Sequence, residues 1–272
     1  MKRLAFFAIS LIFAATPARA QETPNPRSDT PIINPAQAEA QSPLTDRERD
    51  EMRARILMAR KEYAEAIKAY EELLKKDPKN ASMLNQLGIA YEELGDMRGA
   101  ERSYKKAVHF DKTYVSAINN LGALEYSKKR YGKAINYYRK AISLQDGDRA
   151  VIYSNLGYAY FGKREYHEAL SSFSRALALD PDIFSRKSGA GAIIQQRSST
   201  DPGMLYFLVA KSYAKAGDAE QAAHYLKVAR DDGYKEFTSA KTDPDFARVI
   251  KDRRVQEVFD IHPTFSNDEK KL

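Results

Sequence analysis

The chain has no cysteine and no tryptophan. Without thiols there are no disulfides, no thiolate metal sites, no cysteine nucleophile and no N-terminal cysteine to carry a lipid. Histidine is scarce. His109, His167, His224 and His262 are the four present, and none has another within four residues, so no two can sit one helical turn apart as metal ligands. Signatures of catalysis are missing as well. Ser188-Gly189-Ala190-Gly191 is not followed by the Lys-Ser/Thr of a phosphate-binding loop, and no Gly-x-Ser-x-Gly elbow occurs. Glu92-Glu93 and Asp231-Asp232 are adjacent carboxylates, but sequence neighbours on a helix do not face each other. The expectation is a chain that catalyses nothing and takes no cofactor and no metal. Charge is nearly balanced: 44 basic against 37 acidic residues give +7, and removing Lys2, Arg3 and Arg19 lowers this to +4. That excess is spread along the chain, as in Lys128-Lys129-Arg130, and does not indicate nucleic acid.

The N-terminus reads as an export signal over residues 1–20. Met1-Lys2-Arg3 is basic, Leu4 to Ala15 is mostly apolar, and Ala18-Arg19-Ala20 offers the small residues that signal peptidase requires. The apolar run of 12 residues falls short of the roughly 20 needed to span a bilayer. The expected destination is the bacterial periplasm or the exterior, with no integral span after cleavage. Residues 21–44 carry Pro24, Pro26, Pro31, Pro35 and Pro43 with no helical apolar period, a composition that favours a disordered linker. Thr45-Asp46-Arg47-Glu48 has the form of a capping box and marks the start of the folded body.

From there the sequence repeats. Ala66, Ala100, Ala134 and Ala169 are 34, 34 and 35 residues apart, and Tyr70, Tyr104, Tyr138 and Phe173 keep step with them. Leu87-Gly88, Leu121-Gly122 and Leu156-Gly157 recur in phase, as do Ala107, Ala141 and Ala176. A further unit around Leu208 to Ala210, Tyr213 and Ala222 is displaced by one period plus 19 residues. Small residues at such positions allow helices to cross closely, and the rings fill the space toward the next unit. A single helical pair cannot bury its apolar face, whereas a stack can.

This phased pattern resembles the tetratricopeptide-repeat family over roughly residues 47–234, with Arg53 and Ala54 departing from Leu-Gly in the first unit. The resemblance implies an all-α, right-handed superhelical solenoid of about five helix-turn-helix units with terminal capping helices. The array is expected over 45–234, interrupted by an insertion at 182–203 whose Gly-rich centre suggests a hairpin or ordered loop. Residues 235–265 are expected to form short capping helices, with Phe246, Val249 and Ile250 on one face and Val255, Val258 and Phe259 on another. A polar tail follows over 266–272.

In this family the first helices of successive units line a concave groove, and the resemblance implies a binding surface there. Its projected lining comprises Asn85, Gln86, Ile89, Asn119, Asn120, Ala123, Ser154 and Asn155, with the aromatics Tyr126, Tyr158, Phe161 and Phe207 and the cation Lys211. Gln86, Asn120 and Asn155 share one phase, so a ladder of amides can hold a peptide backbone; the same amides can instead bond within the fold. The aromatics suggest an apolar patch, or else packing between helices. The chaperone-binding members clamp a terminal carboxylate with Lys and Arg, but Glu51, Ser116 and Asn120 stand at the corresponding places. The expected function is a protein- or peptide-binding scaffold of the cell envelope; the alternative is a module that contacts an anionic envelope polymer or polysaccharide. If export proceeds as expected, the mature chain begins at Gln21, and the intact mass of the periplasmic form should match it; a retained Met1 would overturn the assignment.

Overall fold

The computed structural model describes residues 44–144, 149–185 and 201–260. The export signal over 1–20, the proline-rich stretch to residue 43, the Gly-rich centre of the insertion and the tail lie outside the described residues. Among the described residues all regular structure is helical. Five antiparallel hairpins follow one another: α1 (Asp46–Ala59) with α2 (Tyr63–Lys76), α3 (Ala81–Glu93) with α4 (Met97–Phe110), and α5 (Val115–Ser127) with α6 (Tyr131–Ser143). Then come α7 (Arg149–Gly162) with α8 (Tyr166–Leu179) and α9 (Pro202–Ala216) with α10 (Ala219–Asp231). Each hairpin packs on the next, which is the expected solenoid of helix-turn-helix units.

The helices begin where the side chains can cap them. Thr45 accepts from the Glu48 backbone N–H, and Glu48 Oε2 accepts from Thr45 N–H at 2.8 Å, completing the capping box. Asn80, Asp96, Asp201 and Asp218 accept backbone N–H groups at the starts of α3, α4, α9 and α10, without the reciprocal glutamate bond. Such a cap contributes about 1 kcal/mol. Pro202 follows its cap directly, so Pro202 and Gly203 belong to α9 rather than to the insertion.

One turn closes all five hairpins. Lys61, Gly95, Lys129, Arg164 and Gly217 adopt φ between 57° and 89°. In each case the left-handed residue donates its N–H three residues back, and the next residue donates five back. Lys129 N bonds Tyr126 O at 2.8 Å and Arg130 N bonds Glu125 O at 2.9 Å, for example. This Schellman pairing satisfies carbonyls that would otherwise be orphaned at the helix end. The left-handed conformation costs a non-glycine residue roughly 1–2 kcal/mol, so Lys61, Lys129 and Arg164 show how strongly the hairpins impose the turn.

Within the hairpins a ring lies against a glycine. A Cβ on Gly88 would sit 2.4 Å from Tyr104 Cε1, one on Gly122 2.6 Å from Tyr138 Cε1, and one on Gly157 2.4 Å from Phe173 Cε1. The three rings are wholly buried. The outer units trade volumes at the same phase: Ala54 with Tyr70 in the first, and Ala210 with Leu226 in the fifth, all buried. Beyond α10 the period stops, as expected. A 3₁₀ helix spans Lys235–Lys241 and another Pro244–Phe246, followed by α11 (Arg253–Asp260). Asp243-Pro244-Asp245 therefore opens a single 3₁₀ turn. Phe246, Val249, Val255 and Val258 are buried against the last hairpin, so the segment acts as its cap.

Two glycines in adjacent helices test this packing. Replacing glycine by alanine in a helix normally gains up to about 1 kcal/mol. Gly132 has no neighbour within 4 Å of a built Cβ, so Gly132→Ala should raise the melting temperature. Gly122→Ala should lower it, because displacing the buried Tyr138 ring costs about 1–3 kcal/mol and outweighs the gain. Calorimetric melting of the two variants should therefore move in opposite directions.

Candidate binding face

The expected groove residues lie on the odd-numbered helices, and the structure links the amides to one another. Asn155 Nδ2 donates to Asn119 Oδ1 at 3.1 Å, and Asn120 Nδ2 donates to Asn85 Oδ1 at 3.0 Å. A longer contact of 3.5 Å joins Asn119 Nδ2 to Asn120 Oδ1. The bonds thus run diagonally, each unit reaching the residue one position earlier in the unit before. The result is an amide chain across α7, α5 and α3. Asn85 and Asn155 are buried, and Asn155 Oδ1 has no hydrogen-bond partner among the described residues. Ser154 is buried beside them. Gln86, Asn119 and Asn120 are half-buried and reach solvent, together with Ile89 and Ala123. Much of the amide capacity is therefore used in joining neighbouring helices, and only three of the amides remain accessible.

The aromatic side chains correct the sequence reading. Tyr126, Tyr158, Phe161 and Phe207 are only 2–5% exposed and form no surface patch. Tyr126 meets Tyr131 edge-on at 5.4 Å, Tyr158 meets Phe173 at 5.1 Å, and Phe161 meets Tyr166 at 5.6 Å. Phe207 lies between Tyr234 at 5.0 Å and Phe246 at 5.8 Å. Rings from the paired helix or the C-terminal cap cover each of them. Lys211 is not a free cation either. Its Nζ lies 2.7 Å from Asp243 and 3.1 Å from Asp245, and Lys215 also reaches Asp245 at 3.1 Å. Lys211 thus fastens the cap to α9.

Glu92, which the sequence reading considered only as half of an adjacent carboxylate pair, is a charged group of this face. It follows Asn85 and Ile89 at the i+4 and i+7 spacing of one helical stripe, and that spacing was the available signal. Tyr104 donates its hydroxyl to Glu92 Oε2 at 2.7 Å. Burial raises the Glu92 pKa above its ordinary value; the tyrosine bond opposes this, and the charge of Glu93 adds to it. The same burial and the neighbouring carboxylate raise the Tyr104 pKa.

Comparison with known proteins now settles the family. A model described as TPR repeat matches residues 54–95, and two described as Tetratricopeptide repeat match 81–114 and 114–182. The chain belongs to the tetratricopeptide-repeat family. Hsp70-Hsp90 organizing protein 1 of Glycine max is 31% identical over 86 residues, covering 32% of this chain and 15% of that protein. Hsp70-Hsp90 organizing protein of Triticum aestivum is 26% identical over 109 residues, covering 40% and 18%. This chain thus matches less than a fifth of the length of these relatives. Among solved structures, that titled for the functional characterization of Pseudomonas aeruginosa pilF aligns with a TM-score of 0.52 at 19% identity, covering 78% of this chain and 88% of that one. This likeness concerns the fold.

Tetratricopeptide-repeat proteins are typically non-catalytic scaffolds. In this one the places of a basic carboxylate clamp are otherwise occupied. Glu51 pairs with Arg47 at 3.0 Å and Arg55 at 3.8 Å, while Asn120 belongs to the amide chain. Among the described residues no group of three or more His, Asp or Glu is placed to hold a metal ion. No described helix is long and apolar enough to cross a membrane.

The raised pKa of Glu92 fixes the sign of a pH effect. The folded state holds this proton more tightly than the unfolded chain, where the value is near 4.5. Native stability therefore declines as pH rises from about 4.5 through the higher folded value. Glu92→Gln keeps an acceptor for Tyr104 and cannot ionise. Its melting temperature should exceed that of the wild type at pH 7, and the advantage should shrink on acidification.

Proposed function

We propose that this tetratricopeptide-repeat chain is a non-catalytic scaffold of the cell envelope that binds another protein or peptide on the open face of α3, α5 and α7. The observation that carries this reading is the half-exposed amide set of Gln86, Asn119 and Asn120 beside Ile89 and Ala123. Amides offer both donors and an acceptor, so they match an extended backbone whatever its side chains. The apolar neighbours add area that binding would remove from water. Placement in the envelope rests on the basic, apolar and small-residue segments before Gln21. Relatives named as organizing proteins for Hsp70 and Hsp90 support a role in bringing proteins together.

The test uses the mature chain as bait in envelope extract, beside a variant carrying Ile89→Arg and Ala123→Arg. These residues are half-buried at the face, so the variant should melt near the wild type yet lose the partner that the wild type retains. Retention should change little between about 0.05 and 0.5 M salt, a range over which exposed charges become screened. A partner held equally by the variant would overturn the site. Release that follows salt steeply would favour the anionic polymer drawn to the residual positive charge.

A further inference from the structure

A pocket lies on the even-numbered helices, between α2 and α4 and over α3, with a volume of about 400 Å³. Ligand pockets commonly fall within about 300–1,000 Å³. Its origin is a missing ring. Thirty-four residues after Ser103, in the next unit, stands Tyr137, which is half-buried and packs against the cores on both sides of its interval. Ser103 is itself buried and too small to do the same. Leu74, Leu84 and Leu87 are left lining a void, and Phe110 stands 41% exposed at its margin.

The rim is basic. Lys75, Arg102 and Lys106 surround the opening, and all three are exposed. Glu71 also lies there, but it accepts the Tyr91 hydroxyl at 2.7 Å, a bond that pushes the tyrosine pKa up to about 12. Lys75 approaches Glu72 at 2.5 Å, Arg102 comes no nearer than 4.0 Å to Asp96, and Lys106 makes no ion pair among the described residues. Glu72 and Asp96 approach from outside the pocket, whose lining itself holds three cations against one carboxylate, Glu71.

We propose that this pocket is a docking site for an acidic peptide segment of a partner protein that carries one large apolar side chain. The side chain takes the place that Tyr137 fills in the next interval. Flanking Asp or Glu residues meet Lys75, Arg102 and Lys106, so the ring supplies burial and the carboxylates supply orientation. The site is separate from the open face of α3, α5 and α7 and does not depend on it.

The probe is a fluorescein-labelled Asp-Glu-Phe-Glu-Asp peptide, titrated with the mature chain by anisotropy. Two controls replace its Phe by Ala or its acids by Lys. The acidic Phe peptide should bind at least about tenfold more tightly than either control, as expected for one buried ring and its charge partners. Ser103→Tyr should fill the void and weaken binding by a similar factor. Lys106→Glu, an exposed change that leaves the fold alone, should weaken it too and keeps the test decisive if Ser103→Tyr folds poorly. The variant with Ile89→Arg and Ala123→Arg should bind the probe normally, which separates this site from the open face. Equal binding of the Ala peptide, or full displacement by a polyuronate without apolar groups, would mean charge alone is recognised and would overturn the proposal. So would undiminished binding by both Ser103→Tyr and Lys106→Glu.

Discussion

The contact between a glycine on one helix and an aromatic ring on its partner sets the geometry of the central hairpins. Gly88, Gly122 and Gly157 leave no room for a Cβ beside Tyr104, Tyr138 and Phe173. This fixes the closeness of the helices, and close helices need a turn that reverses the chain within a few residues. The Schellman turn supplies that reversal, even where Lys61, Lys129 or Arg164 must adopt a left-handed backbone. Once the hairpins share one geometry, the odd-numbered helices come into register and their amides can reach across. The proposed binding face is thus a consequence of packing that lies beneath it.

Much of this was legible in the sequence because repetition multiplies a weak signal. One alanine or tyrosine says little; the same residue at a constant spacing in four units identifies the hairpin, its small positions and its rings. The Thr45–Glu48 box and the C-terminal cap were legible because caps and apolar stripes are local. The turn residues were not. Glycine marks a left-handed position at Gly95 and Gly217, but a lysine or arginine there looks like ordinary surface. The face itself was only partly legible. Projection onto a repeat places a side chain on a helix, but it does not show what covers that helix. Tyr126, Tyr158, Phe161 and Phe207 were projected outward, and rings from Tyr131, Phe173, Tyr166, Tyr234 and Phe246 enclose them. Lys211 looked like a free cation because its partners, Asp243 and Asp245, lie beyond the repeat. Glu92 is unremarkable in sequence, and its environment becomes visible only when Tyr104 folds over it.

Departures from the repeat carry the individuality of the molecule. A ring at Tyr137 closes one interval, while Ser103 leaves the preceding one open. A carboxylate appears at Glu92, where the later units have Tyr126 and Phe161. Each departure is tolerated because a stack distributes its stability over many interfaces, so one unit can lose some packing without collapse.

The two ends of the stack differ, and that difference gives it a direction. The third to fifth hairpins and the C-terminal segment share one continuous core, whereas Ala54, Tyr70 and Leu73 of the first hairpin belong to a smaller, separate one. Arg230 further ties α10 to the Val258 carbonyl at 2.8 Å, while Met52 and Ile56 of α1 are more than 40% exposed. The array is a zipper fastened at one end. Backbone hydrogens should accordingly exchange fastest in the first hairpin and slowest around α9 and α10. A partner lying across α3 and α5 would close the zipper from its loose side, so that binding would be felt as slower exchange in helices the partner never touches.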